Sequence, residues 1–204
     1  MDRDGYQKIP RGFRKYGCKS FRDISVSKDG KKQTFCVDDS YVADLKAVDF
    51  DAVKNGLYAS MARQCDGHCP RSVDALYMSG RSVYAVEFKT GKVKPLDLVR
   101  KLYDTVMCFI EHDGRDFKWS RSRMVAVVVA SKGVVEKERD SLKTKMPKAQ
   151  RVFSRAGFYQ VKPGIGEGRV QSWGLGKLEG VLLSKVYTLS PDEFNSLAER
   201  NEWE

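Results

Sequence analysis

Residues 73–92 read VDALYMSGRSVYAVEFKTGK, and the reading of this stretch decides the fold. Two apolar runs, Val73 to Met78 and Ser82 to Phe88, are rich in β-branched and aromatic residues, the composition of strands. Ser79-Gly80-Arg81 between them is a short hairpin connection, so the two strands are antiparallel. Charges sit where a core would prefer none. Asp74 begins the first run, and Glu87 and Lys89 end the second. Residues two apart on a strand project to the same face, so Glu87 and Lys89 share one. Counted outward from Gly80, Asp74 is six back and Glu87 seven on. The two carboxylates are therefore neighbours across the ladder, with an ammonium beside them.

Working outward, Pro95 to Ile110 carries Leu98, Leu102, Val106, Phe109 and Ile110 on one helical face. Met124 to Ala130, MVAVVVA, is apolar throughout, which suits a strand buried on both faces. A strand reached through a helix crosses over and can lie parallel to a hairpin strand. Upstream, Val42 to Ala62 has apolar residues at Leu45, Val48, Ala52, Val53, Leu57 and Met61, a spacing that predicts a helix. Asp23 to Val37 reads as a hairpin turning at Asp29-Gly30. Residues 1–22 are basic, contain Gly and Pro, and predict an irregular arm. After the apolar strand come a polar helix (Val135 to Lys145), a short strand (Val152 to Val161), a mobile loop with six glycines (Pro163 to Gly180) and a strand (Val181 to Leu189). Ser190, Pro191 and Glu193 form the capping-box pattern of a final helix. The expectation is one α/β domain over 1–204, a mixed central sheet with flanking helices. Its core covers about 42–130, with an arm and hairpin over 1–41 and a basic C-terminal addition over 131–204.

The chain of 204 residues is 41% apolar and 31% charged, too apolar for a disordered protein. No run approaches the ~20 apolar residues of a membrane span, and MDRDGYQKIPRGFRK lacks the apolar centre of a signal peptide. A cytoplasmic protein with no membrane partner is expected. The five cysteines are an odd number without an export signal, which argues for free thiols. The net charge of +10 is uneven: Arg115 to Trp173 holds fourteen Lys or Arg against five Asp or Glu. Such a bias favours a polyanion, nucleic acid first. Arg121 and Arg123, in a WSRSR stretch read as a loop before a strand, and Lys143 and Lys145 are the expected contacts. This charge is expected to border the same side of the sheet as Lys89.

Cys65, His68 and Cys69 of CDGHC offer three ligands for zinc or an iron–sulfur cluster. A plain loop without metal is the expectation, since no cysteine follows Cys108. The glycines of GIGEGRVQSWGLG do not follow a strand and open a helix, as a phosphate-binding loop does.

Two carboxylates bring hard oxygen ligands suited to Mg²⁺ or Mn²⁺, and the Phe88 carbonyl adds a third oxygen. Lys89 puts positive charge where a phosphate would react. Asp74, then Glu87-Phe88-Lys89 at the end of an apolar strand, then a helix and a second apolar strand, resembles the PD-(D/E)xK nuclease superfamily. The resemblance covers roughly Val42 to Ala130. It implies a restriction-endonuclease-like core of helix, three strands, helix and strand. It also implies Asp74 and Glu87 as metal ligands, Lys89 as catalytic, and hydrolysis of phosphodiester bonds, DNA ahead of RNA. Val73 stands where many members have proline. Many members add an acid from the first helix; Asp44, Asp49 and Asp51 are the candidates, with Asp51 preferred as a third ligand. Lys101 is the counterpart of a polar residue on the helix after ExK, and is grouped with the nucleic-acid contacts. The alternative is the same fold without catalysis, binding nucleic acid or a protein partner. A blander reading is an exposed Glu–Lys pair with an unrelated Asp. Homodimerisation, endo- against exonuclease action and sequence preference stay open.

Overall fold

The computed structural model describes residues 9–29, 32–37, 42–59, 70–141 and 172–199. In chain order the elements begin with α1 (Arg11–Arg14), β1 (Cys18–Ser20), α2 (Phe21–Ile24), β2 (Val26–Asp29) and β3 (Lys32–Phe35). Then come β4 (Lys46–Asp49), α3 (Phe50–Leu57), β5 (Ala75–Ser79), β6 (Ser82–Lys89), α4 (Pro95–Asp113), α5 (Phe117–Arg123) and β7 (Met124–Ala130). A helix over 132–141 is α6. A 3₁₀ segment (Ser172–Leu178), β8 (Lys185–Leu189) and α7 (Pro191–Glu199) complete the described residues. No described helix is long and apolar enough to cross a membrane.

Six strands form one mixed sheet in the order β1-β4-β5-β6-β7-β8. The hairpin at its centre is the one the sequence predicts. Ala75 pairs with Val86 and Ser79 with Ser82, leaving Gly80-Arg81 as the turn. Gly80 takes φ 55° there, a conformation that glycine adopts without a Cβ clash. β7 runs parallel to β6, from Val83↔Met124 to Lys89↔Ala130, and β8 runs parallel to β7. Every residue of β7 is buried, because the sheet has a core on each face. On one face α1, α3 and α4 pack Phe13, Phe50, Leu98, Leu102 and Phe109 over Val83, Ala85 and Ala126. On the other, Phe21 and Phe194 cover Tyr84, Val86, Val125 and Val127. α4 stops where Gly114 takes φ 63°.

Several expectations change. The 42–62 stretch is strand and then helix. Ala47 and Val48 point into opposite cores, and the Asp49 carboxylate caps α3 by accepting from Ala52 N at 3.1 Å. A strand of four residues, with only its two central ones apolar, is hidden inside a longer helical spacing. With β4 ahead of α3, two strands rather than three are described between α3 and α4, and β4 supplies the third antiparallel strand beside β5. From residue 9 onward the expected irregular arm is instead structural: Ile9, Phe13 and Phe21 are at most 1% exposed. Phe13 meets Phe50 and Phe109 edge-on at 5.7 and 4.8 Å. Its helices are one turn long, too short for a period to register. Residues read as the WSRSR loop are α5, capped by Asp116, which accepts from Trp119 N at 2.6 Å.

The predicted 23–37 hairpin forms a separate two-stranded sheet, with Asp29 paired to Lys32, while Asp23 and Ile24 belong to α2. The end of the glycine-rich segment is not a loop but a 3₁₀ segment whose Leu175 and Leu178 enter the core. The last strand is shorter than expected, and residues 178–183 form a hydrogen-bonded turn before it. At α7 the capping box is complete: Glu193 N donates to Ser190 Oγ at 3.3 Å and Ser190 N to Glu193 Oε2 at 2.7 Å. Cys36 and Cys108 are buried free thiols. The strand expected at Val152–Val161, the CDGHC segment with Cys65, His68 and Cys69, and Lys143 and Lys145 lie outside the described residues.

Candidate active site

The hairpin register builds the site. Ala75 pairs with Val86, so Asp74 and Glu87, one step further out, face each other across β5 and β6 on the same side of the sheet. Two backbone contacts hold Asp74 there. Phe88 N donates to its Oδ2 at 2.7 Å, and its own carbonyl accepts from Phe50 N at the start of α3 at 3.0 Å. Lys89, two residues beyond Glu87, shares its face and places Nζ 2.6 Å from Glu87 Oε1. α4 then folds back over the hairpin. One and a half turns into it, Lys101 Nζ lies 2.7 and 2.9 Å from the two Glu87 oxygens and 3.3 Å from Asp74 Oδ1. A single ammonium thus bridges both carboxylates.

Glu87 is 1% exposed, which removes the reading of an exposed Glu–Lys pair. Burial, and then the charge of Asp74, push its carboxyl up to about 7 against the pull of Lys101 and Lys89. Burial raises the Asp74 carboxyl as well, partly offset by Lys101. Burial would lower the Lys101 ammonium, but the two carboxylates outweigh it and hold the group charged.

Beside this cluster opens a cleft of about 410 Å³ lined by Asp23, Asp49, Asp51 and Asp74 together with Lys19, Lys89 and Lys92. Asp51, in the first turn of α3, is in this cleft. It accepts from Ser72 Oγ at 2.7 Å and from Lys54 Nζ at 3.0 Å. Burial works against its charge, but these two partners and Lys101 win, and its carboxyl stays below the usual range. Asp49 is tied to Lys19 at 2.6 Å, while Asp44 is exposed and does not line the cleft. Sequence reasoning missed Lys19 and Asp23, which a tertiary turn through β1 and α2 brings to the cleft. Among the described residues, no three His, Cys, Asp or Glu side chains are drawn together tightly enough to hold a metal ion.

Lys101 sits inside the carboxylate cluster rather than on an open surface. Arg121 and Arg123 are elsewhere. They lead into β7 beside Met124, whose partner on β6 is Val83, six residues before Lys89. That is about 20 Å along the strand from Lys89. α5 flanks the face of the sheet that carries Glu87, since Trp119 packs into the core with Val83 and Ala85, but it lies at the end opposite to Lys89 for a topological reason. In a parallel pair, the segment entering the second strand lies at the end opposite to where the first finishes. No protein-family model, curated protein or solved structure matches this chain.

Proposed function

We propose that the cleft hydrolyses phosphodiester bonds with Mg²⁺ or Mn²⁺, with DNA ahead of RNA as substrate. One observation carries this reading: two facing carboxylates, Glu87 buried and Asp74 half-buried, share one cationic partner, the Lys101 ammonium, at 2.7–3.3 Å. A hard divalent cation satisfies the same pair of oxygens, so the donor set fits, provided that Lys101 withdraws. Asp74 and Glu87 would hold the cation, with Asp51 nearby as a third acid. When bound, the cation supplies Lewis-acid stabilisation of the reacting phosphate. Lys89, on the face of Glu87 and lining the open cleft, sets an ammonium beside the phosphate and donates hydrogen bonds to oxygens that gain charge. The low polarity around Glu87 strengthens each of these interactions.

A second reading rests on the same distances. Lys89 and Lys101 already neutralise both carboxylates, and a cluster closed in this way suits a silent nuclease-like module that binds nucleic acid or a protein partner. Calorimetric titration with Mg²⁺ and Mn²⁺ separates the two, combined with cleavage assays on single- and double-stranded DNA and RNA. The nuclease reading expects divalent binding that Glu87→Ala abolishes, and metal-dependent cleavage. Nucleic-acid binding that chelator and Lys89→Ala leave unchanged, with no cleavage under either metal, would replace it by the silent module.

A further inference from the structure

The end of the sheet remote from the cleft carries a second chemical surface. Three separate elements deliver cations to it. Arg81 is in the β5–β6 turn, Lys118, Arg121 and Arg123 are on α5, and Lys185 opens β8 beside Val125. Arg81, Lys118 and Arg121 are exposed, and none of these five takes part in an ion pair among the described residues. The nearby acids are engaged: Asp113 holds Arg115 at 2.7 Å and Asp116 caps α5. The patch is also aromatic. Phe117 is 44% exposed among these cations. Arg115 lies 5.2 Å from the Trp119 ring centre, and Trp119 stacks on Phe109 at 5.2 Å and 29°. The platform is rigid, because Phe109 belongs to the core and Arg121 Nε is tied to the Phe117 carbonyl at 3.0 Å.

From this we infer that the α5 end of the sheet is a nucleic-acid tethering surface, separate from the cleft. Unpaired guanidiniums match phosphates, and an exposed ring among them matches a base, which stacks on an aromatic whatever its sequence. A polyanion without bases would make no use of Phe117. The two surfaces lie about 20 Å apart along β6, roughly the rise of six base pairs of duplex. A chain held at α5 therefore leaves the cleft open, and the surface works on nucleic acids longer than that span. The inference is independent of cleavage.

The test is binding in chelator, where no cutting occurs, so that failure here and failure of the nuclease reading give different signals. Fluorescence anisotropy with labelled single-stranded DNA and with duplex of about 20 base pairs is read over a range of salt. Arg121→Gln with Arg123→Gln should weaken duplex binding at least about tenfold near physiological salt and shallow the salt slope by about 1.8. The double Lys replacement at the same positions should restore both. Phe117→Ala should weaken single-strand binding by about fivefold or more with the slope unchanged, since a stacking contact releases no counterions. Circular dichroism confirms that each variant is folded. An unaltered slope in the folded Gln variant overturns the inference. So does protein that binds phosphatidylserine vesicles and neither nucleic acid.

Discussion

Replacing Glu87 by Gln should stabilise the metal-free protein at pH 8 and change it little at pH 4.5. Burial raises the Glu87 carboxyl from 4.5 to about 7. A group raised on folding contributes stability that is fully present below its unfolded value and is lost as pH rises through its folded value. Here the loss runs from about pH 4.5 to above 7, and at 1.36 kcal/mol per unit it amounts to about 3 kcal/mol. Gln occupies almost the same volume and is neutral throughout, so the variant escapes the loss. The gap between variant and parent should widen by about 3 kcal/mol across that window, roughly 6–12 °C in Tm for a chain of this size. Urea unfolding of both proteins in chelator, at closely spaced pH values, measures it. Added Mg²⁺ or Mn²⁺ should then nearly close that gap at pH 8. The parent gains about 2.7 kcal/mol at a hundred times its Kd, and the variant, lacking a ligand, does not. A gap that stays constant with pH, or a variant less stable than the parent at pH 8 in chelator, would refute the reasoning about the buried charge.

Lys89→Ala should lower kcat by about 10²–10³-fold while divalent affinity and most nucleic-acid affinity persist, measured by cleavage kinetics beside calorimetry. Lys101→Met leaves the buried Glu87 and half-buried Asp74 carboxylates with Lys89 alone. It should cost roughly 2–3 kcal/mol at pH 8, below the figure for fully buried pairs because Lys101 is 20% exposed. The loss should shrink at pH 5, where the Glu87 carboxyl, raised to about 7, is protonated, and chemical denaturation at the two pH values checks this. Phe13→Ala should cost about 3–5 kcal/mol, since this residue of the N-terminal segment fills the core against Phe50 and Phe109. A loss under about 1 kcal/mol would show the segment to be dispensable.

What was legible in the sequence is whatever depends on short-range periodicity and a tight turn. The hairpin centred on Gly80, the facing of Asp74 and Glu87, the shared face of Glu87 and Lys89, the amphipathic α4 and the doubly buried β7 all follow from patterns a few residues long. So does the capping box at Ser190. Tertiary packing decided the rest, because it acts between residues that no local pattern connects. It cut the 42–62 stretch into β4 and α3, since Ala47 and Val48 had to fill cores on opposite faces. It drew Ile9, Phe13 and Phe21 out of a segment with no detectable period into the two cores. It turned Lys101 inward, where the facing Glu87 and Asp74 carboxylates require a cation, and brought Lys19, Asp23 and Asp51 to one cleft. It also carried Arg121 and Arg123 to the far end of the sheet. Which charges share a sheet end follows from the direction in which each strand runs, a property of the whole topology that no single stretch of residues contains.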